Sequence, residues 1–234
     1  MKAAVVVFGL LLALPARAAD LPSLAALSQG EFRQLSEDLG AALAYKGVIP
    51  ATALGPLGFD IAVGVSATEV RHGGVFARAG NRDSDALFVP KVQVSKGLPF
   101  GLDLGAFVGV ASNVDTPLLG ADLRYALVND GVAMPAVALR LSGTRLGEVG
   151  GLRLSTAAAD VLVSKRLAVV TPFIGAGVVR TRARFAGDAL AEESFNRNRL
   201  FVGLNVNLVL LNVALEAEKL GDNTSLSAKA GWRF

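Results

Sequence analysis

Charged side chains occupy alternate positions within otherwise apolar segments of this 234-residue chain. Successive side chains of a β-strand point to opposite faces, so charges placed this way would share one inner face. The set consists of Asp60, Lys91, Asp103, Asp122, Arg124, Arg140, Asp160, Arg199, Glu216, Glu218, Lys229 and Arg233. Both signs are present, so the pattern predicts ion pairs that fill a narrow lumen, because pairing removes the cost of isolated buried charge. A thin selective pore lined by the same charges is the alternative.

The C-terminal part of this set suggests specific partners. Two acidic and two basic residues fall on what would be the final hairpin, and opposite charges on facing strands can meet across a narrow lumen. We therefore expect these four residues to pair with one another: Glu216, Glu218, Lys229 and Arg233.

Few residues could support catalysis or bind a metal. The chain has one histidine and no cysteine, which excludes thiolate nucleophiles, disulfides and cysteine-ligated metals. The histidine, His72, follows Arg71, and nothing in the sequence places a nucleophile against it. The polar run at 81–85 lacks the glycine and the distal glutamate of an EF-hand calcium loop. We expect a solvated loop histidine, no enzymatic activity, no metal and no cofactor.

The composition also points to strands. The chain is 52% hydrophobic with a mean hydropathy of +0.49, yet beyond its first residues it contains no long apolar stretch. Apolar and polar residues alternate instead, as in the run at 204–208. A helical membrane protein would concentrate its apolar residues into spans. Alternation is typical of strands with one face toward lipid and the other toward a filled or wet lumen.

About ten alternating segments can be traced between residues 59 and 234. In the segment that contains Leu152 and Leu154, these two leucines interrupt the alternation. Longer connections are predicted at 72–85, 113–116, 144–151, 185–197 and 220–223, and shorter ones at 97–99, 129–131, 165–167 and 210. Short and long connections on opposite sides are typical of membrane barrels. The pattern predicts a closed antiparallel up-and-down transmembrane β-barrel of about ten strands, with eight or twelve as alternatives.

The N-terminus has the features of a secretory signal. A lysine at position 2 precedes the apolar run Ala3–Leu14, and Ala16–Ala18 supplies a small–x–small cleavage pattern. The run is too short for a membrane anchor. Residues 1–18 therefore predict a signal peptide and a mature protein that begins at Ala19. Its loss removes two basic residues and lowers the formal charge from +3 to +1, so we expect no nucleic-acid partner.

Residues 19–58 do not follow the alternating pattern. Leucines and Phe32 at helical spacing predict a short amphipathic helix at the periplasmic mouth or inside the lumen. The stretch 41–46 could be a strand or a segment inside the lumen. Pro50 and Pro56 favour a loop over 50–58. The barrel domain itself is predicted over 59–234.

Aromatic residues recur at one end of the predicted outward faces. They are Phe59, Phe100, Tyr125, Trp232 and Phe234. Aromatic rings favour the headgroup level of a membrane, so this set predicts an aromatic girdle at the periplasmic side.

The closing segment Ser227–Phe234 alternates and ends in phenylalanine. It resembles the C-terminal strand of Gram-negative outer-membrane β-barrel proteins, in which that strand is the feature recognised by the barrel-assembly machinery. The resemblance covers about residues 59–234 in pattern and only the last strand in motif. It implies a location in the outer membrane and the assembly machinery as a partner, but no particular activity.

A basic set lies at the end opposite the girdle. It consists of Arg71, Arg78, Arg82, Arg145, Arg153, Arg180, Arg182, Arg184, Arg197 and Arg199. Guanidinium groups match phosphate oxygens, which favours contact with outer-membrane lipid and phosphorylated lipopolysaccharide; ordinary loop solubility is the alternative. We expect a non-enzymatic envelope protein, structural or acting through its loops, with a passive channel for small solutes as the main rival.

Deletion of Phe234 should impair membrane insertion and leave export intact, because the closing strand would lose its terminal aromatic residue. Fractionation into periplasmic and outer-membrane pools measures both steps. Full insertion of the shortened protein would contradict the assembly-signal interpretation.

Overall fold

Ten antiparallel strands form a closed barrel, in which each strand pairs with its sequence neighbours and the first pairs with the last. The computed structural model describes residues 24–79, 85–112, 116–209 and 211–234. The strands are β1 Phe59–Glu69, β2 Ala86–Gly97, β3 Leu102–Val110, β4 Pro117–Val128, β5 Ala136–Leu146, β6 Leu152–Ser164, β7 Val170–Phe185, β8 Glu193–Leu208, β9 Leu211–Leu220 and β10 Asn223–Arg233. The predicted closed barrel is confirmed, and closure removes exposed strand edges.

Two α-helices lie within the described residues, α1 Gln29–Leu43 and α2 Gly73–Arg78, with short 3₁₀ turns at Leu24–Ala26 and Pro99–Gly101. In the part of the chain that the structure describes, no helix is long and apolar enough to cross a membrane. The predicted signal peptide at 1–18, its cleavage before Ala19 and most of the polar run at 81–85 lie outside the described residues.

The barrel has two mouths, which differ in their connections. The upper mouth carries the connections 70–85, 111–116, 147–151, 186–192 and 221–222, and the lower mouth carries 98–101, 129–135, 165–169, 209–210 and both ends of the barrel domain. The predicted contrast in length holds for 70–85 and 186–192, whereas 129–135 is longer than predicted and 221–222 is a tight turn.

Burial alternates along the strands. On β8, Leu200 and Leu204 are 56% and 43% exposed, whereas Phe201 between them is 1% exposed. Outward positions are apolar because lipid offers no hydrogen-bond partner, and inward positions can be polar because they meet protein. Every second side chain of a strand therefore points into the lumen.

The barrel closes at an aromatic seam. Phe234 N–H donates to Phe59 O at 3.0 Å, and the two ring centroids lie 6.0 Å apart. Tyr125 and Trp232 are exposed on the outer face near the same mouth. Phe100 differs from prediction: it lies in the turn Pro99–Gly101 with a positive φ of 65° and not on a strand. Proline at the start of that turn lacks an N–H and cannot continue the ladder.

The phase break in β6 has a structural cause. Leu152 and Leu154 point inward and are buried in one cluster with Phe32, Leu35 and Leu39 of α1. An apolar helix face inside the barrel requires apolar wall residues at that level, because neither side has water or polar partners there. An apolar cluster therefore occupies part of the upper half of the lumen.

Helix α1 begins at a capping box. Ser28 Oγ accepts from Glu31 N–H, and the Glu31 carboxylate accepts from Ser28 N–H at 2.8 Å. Hydrogen bonds from the backbone and side chain of Ser28, together with the nearby Arg78 cation, lower the pKa of Glu31. The carboxylate that completes the cap therefore stays ionised below the usual range of a glutamate.

The start of α1 lies at the upper mouth, opposite the mouth that holds both ends of the barrel domain. Gln29 Oε1 accepts from Ala191 N–H at 2.9 Å, and Arg33 pairs with Glu193 at 3.0 Å. From there the helix runs down into the lumen, and residues 51–58 reach the lower mouth. Of the two predicted placements, the structure has the helix inside the lumen, where apolar wall residues cover it.

Leu204→Arg should lower the free energy of unfolding by about 2–4 kcal/mol, because position 204 lies in the middle of the lipid-facing row of β8. Leu208→Arg, on the same face but at the lower end of the strand, should cost only about 0–1 kcal/mol. Urea titration of refolded protein in lipid vesicles measures both. Equal costs would contradict the assigned depth of this row.

Candidate functional site

The lumen is filled by the protein's own N-terminal segment. Every residue from 38 to 51 is buried, including the stretch 44–51 that follows α1 and belongs to no helix or strand. Its backbone N–H and C=O groups have no ladder to join, and leaving them unbonded away from water is costly. The barrel wall must therefore supply their partners.

Inward side chains of three strands donate to the carbonyls of this segment. Arg199 Nη1 donates to Tyr45 O at 2.7 Å, and Lys91 Nζ donates to Lys46 O at 2.5 Å. Two further bonds continue the series along the chain, from Gln93 to Gly47 O at 3.1 Å and from Arg124 to Pro50 O at 3.0 Å. Hydrogen bonds from charged donors are the stronger kind, so the wall cations hold the segment in place.

Two residues of the segment bind the wall in return. Tyr45 Oη donates to the Asp122 carboxylate, and Lys46 Nζ lies 3.4 Å from Glu218 Oε1. The side chains of both residues are almost completely buried. Neither residue was a predicted site residue, although Lys46 is the only charged residue between Asp38 and Asp60. A lone charge in such an apolar stretch was the available signal.

Ion pairs between wall residues complete the network. Asp160 binds two arginines, Arg140 at 3.0 Å and Arg199, and Asp103 binds Arg124. These residues come from five different strands, so each pair ties the barrel wall across the lumen or between neighbours. Removing one partner of such a pair would leave a buried charge uncompensated.

All twelve predicted lumen charges point inward. Eleven of them are buried, and Arg233 at the lower mouth is half-buried. The structure brings together Lys91, Asp103, Asp122, Arg124, Arg140, Asp160, Arg199, Glu216 and Glu218 around the N-terminal segment, and Asp60, Lys229 and Arg233 near the lower end. Within the first group, Oε2 of Glu216 has no hydrogen-bond partner among the described residues.

The pairing expected within the final hairpin is wrong. Lys229 and Arg233 both bind Asp60 of β1, at 3.2 Å and 2.8 Å. Barrel closure sets Asp60 directly opposite Arg233, whereas the hairpin register sets Glu216 opposite Ser227. The glutamates therefore lie one level higher, where Glu218 meets Lys46 and Arg199.

His72 is not a freely solvated histidine. Its Nδ1 lies 3.2 Å from Oδ2 of Asp38, and its backbone N–H donates to the same oxygen at 2.9 Å. Asn223 donates to the other oxygen of this buried carboxylate at 2.7 Å. Asp38 thus ties α1 to the β1–β2 connection and to β10. Among the described residues, no hydroxyl group hydrogen-bonds the imidazole.

A recess opens at each mouth. The upper one has a volume of about 280 Å³ and is lined by residues that include His72, Thr181 and Arg197. The lower one, of about 140 Å³, is lined by residues that include Pro50 and Arg233. The buried stretch 38–51 lies between them. Across the described ranges, no three His, Asp or Glu side chains gather in a way that could hold a metal ion.

The nine arginines of the predicted rim that the structure describes fall into four groups. Arg199 is buried in the lumen, while Arg197 and Arg78 bind Glu37 and Glu31 of α1 at the upper mouth. Arg71 is exposed and pairs with Glu69, and Arg82 lies outside the described residues. The remaining five are exposed on the outer face of β5, β6 and β7: Arg145, Arg153, Arg180, Arg182 and Arg184.

Asp160→Asn should lower the free energy of unfolding by about 3–5 kcal/mol, because Arg140 and Arg199 would remain buried without this carboxylate. Urea denaturation followed by the fluorescence of Trp232 measures it. Asp188→Asn, in the exposed β7–β8 connection, is the matched control and should change stability by less than about 0.5 kcal/mol. Equal stabilities would mean that Glu218 alone compensates Arg199.

No protein-family model and no curated protein matches the chain. Among solved structures, LpxR from Salmonella typhimurium is 9% identical over 73% of this chain and 99% of its own, with a TM-score of 0.42. The N-terminal β-barrel domain of Pseudomonas aeruginosa OprF is 13% identical over 74% and 97%, with a TM-score of 0.39. Neither likeness bears on what this chain binds or does. The closed ten-stranded barrel, apolar outside and polar within, has the architecture of the Gram-negative outer-membrane β-barrels that its last strand resembles.

Proposed function

We propose that this protein is a closed, non-enzymatic barrel of the outer membrane that acts in the cell envelope through its outer surface and upper mouth. The observation that carries the proposal is the uninterrupted burial of residues 38–51 in the lumen. A passive channel needs a continuous water-filled path, and here side chains and backbone occupy that path. In this proposal the predicted signal peptide at 1–18 directs export, and the assembly machinery inserts the barrel through its last strand.

Several bonds would have to break at once for the lumen to open. Arg199 and Lys91 donate to adjacent carbonyls of the segment, and Tyr45 donates back to the wall. Because these groups are buried, opening would leave them unbonded until water entered, and each such group costs about 1–3 kcal/mol. The closed state is therefore favoured. In this proposal the protein acts through contacts at its surface.

Conductance in planar bilayers tests this proposal. Wild-type protein should show no steady conductance. A variant that lacks residues 24–50 loses α1 and the segment below it, so it should conduct steadily. Since its lumen would keep wall charges of both signs, little ion selectivity is expected. Heat-modifiable migration on gels reports whether each variant forms the folded barrel.

Two further variants keep the experiment decisive. Removal of residues 186–189, which are exposed in the β7–β8 connection, leaves the segment in place and should give a closed barrel. If the deletion of 24–50 fails to fold, Tyr45→Gly with Lys46→Gly removes two sealing side chains and should give brief openings. Steady conductance from the wild-type protein would overturn the closed-barrel proposal and favour the channel.

A further inference from the structure

The outer face of the barrel carries a localised basic surface, here called the arginine face: Arg145 on β5, Arg153 on β6, and Arg180, Arg182 and Arg184 on β7. All five side chains are exposed and point away from the lumen. On the neighbouring strands β3 and β4, the outward residues at the same end are apolar, among them Val110 and Leu119. The basic surface therefore does not extend onto β3 and β4.

The strand register arranges this face in rows. Arg145 lies opposite Ser155, which in turn lies opposite Arg182, and Ser194 continues the same row on β8. Two guanidinium groups thus flank a serine hydroxyl, about 10 Å apart across two strand spacings. One level higher, Arg153 lies directly opposite Arg184. Like charges in directly opposite positions destabilise a sheet, so this pair requires negative charge nearby.

The arginines differ in how far the protein neutralises them. Arg153 and Arg184 have acidic partners, Glu148 at 2.7 Å and Glu192 at 2.5 Å. Arg145 and Arg182 form no ion pair and no side-chain hydrogen bond with the described residues, and Arg182 acts on Glu192 only through the longer-range attraction of their charges. The row that contains them therefore has unused donors of the kind that binds phosphate in a forked geometry.

Apolar residues lie lower on the same outer face. Val178 lies below Arg180 on β7, and Leu141 lies below Arg145 on β5 with Gly143 between them. Val161 lies below Ser155 on β6, with Ala157 and Ala159 between them. Val178, Val161 and Leu141 are 44%, 47% and 59% exposed. A ligand that matches both levels has acyl chains below and an anionic head above. In the outer leaflet that combination is lipopolysaccharide, whose phosphates lie at the headgroup level.

We propose that the arginine face binds the phosphate groups of one lipopolysaccharide molecule, with Arg145 and Arg182 as the main ligands, Ser155 as a donor between them, and Val161 and Val178 against the acyl chains. This assignment rests on the proposed outer-membrane location. The bound lipid would cover β5 to β7 and leave β3 and β4 to ordinary hydrophobic contact.

Retention of lipopolysaccharide by the detergent-purified full chain, measured by native mass spectrometry, tests the site. Wild-type protein should bind the phosphorylated lipid, and Arg145→Gln with Arg182→Gln should weaken binding about tenfold or more, because charged hydrogen bonds are lost. Arg71→Gln with Lys219→Gln is the matched control. It removes the same charge from exposed positions near the upper mouth but outside the arginine face, and should bind like the wild type.

Two lipids separate the chemistry of the head group. The wild type should bind chemically dephosphorylated lipopolysaccharide about tenfold more weakly than the phosphorylated lipid. The double variant should bind these two lipids equally well. Three outcomes would each overturn the proposal. The wild type could retain both lipids equally, or the test and control variants could lose binding to the same extent. The wild type could also bind phosphatidylglycerol as well as it binds lipopolysaccharide. Binding is scored on folded protein whose conductance has been measured, so failure of this site is distinguishable from failure of the closed-barrel proposal.

Discussion

The structure depends on one constraint: backbone polar groups that are buried inside a closed barrel must find partners away from water. The strands meet this requirement through their ladders, and α1 meets it through its own hydrogen bonds. The stretch 44–51 has neither, so Arg199, Lys91, Gln93 and Arg124 bond to its carbonyls. The charged wall is thus a set of donors for a segment of the same chain, as well as a set of ion pairs.

This constraint explains why the lumen divides into two levels. Where α1 satisfies its own backbone, the wall can be apolar, as at Leu152 and Leu154. Below the end of α1, the wall becomes charged because the extended segment needs donors and the donors need counter-charges. Asp160 supplies these to Arg140 and Arg199, and Asp103 supplies them to Arg124. Each level suits only the part of the N-terminal segment that lies in it.

The polarity of the outward side chains matches the environment outside the barrel. Lipid accepts apolar side chains and offers no hydrogen bonds, so the outward rows stay apolar until the headgroup level. The exposed arginines of β5 to β7 lie toward the upper ends of these strands, whereas arginines on the inside form ion pairs and hydrogen bonds in the lumen. One residue type therefore has two roles, and the face of the strand decides between them.

The sequence by itself determined the barrel and the facing of its strands, because alternation with a period of two depends only on neighbouring residues. Inward charges such as Asp160 and outward residues such as Leu204 could be assigned in this way. Partners could not be, since they depend on closure and register between distant strands: Asp60 meets Arg233 only because β1 pairs with β10. Nor could the direction of α1, the burial of Lys46 or the link between His72 and Asp38 be read from the sequence. Those follow from which wall residues surround a segment once the barrel has closed around it, and only the tertiary structure decides that.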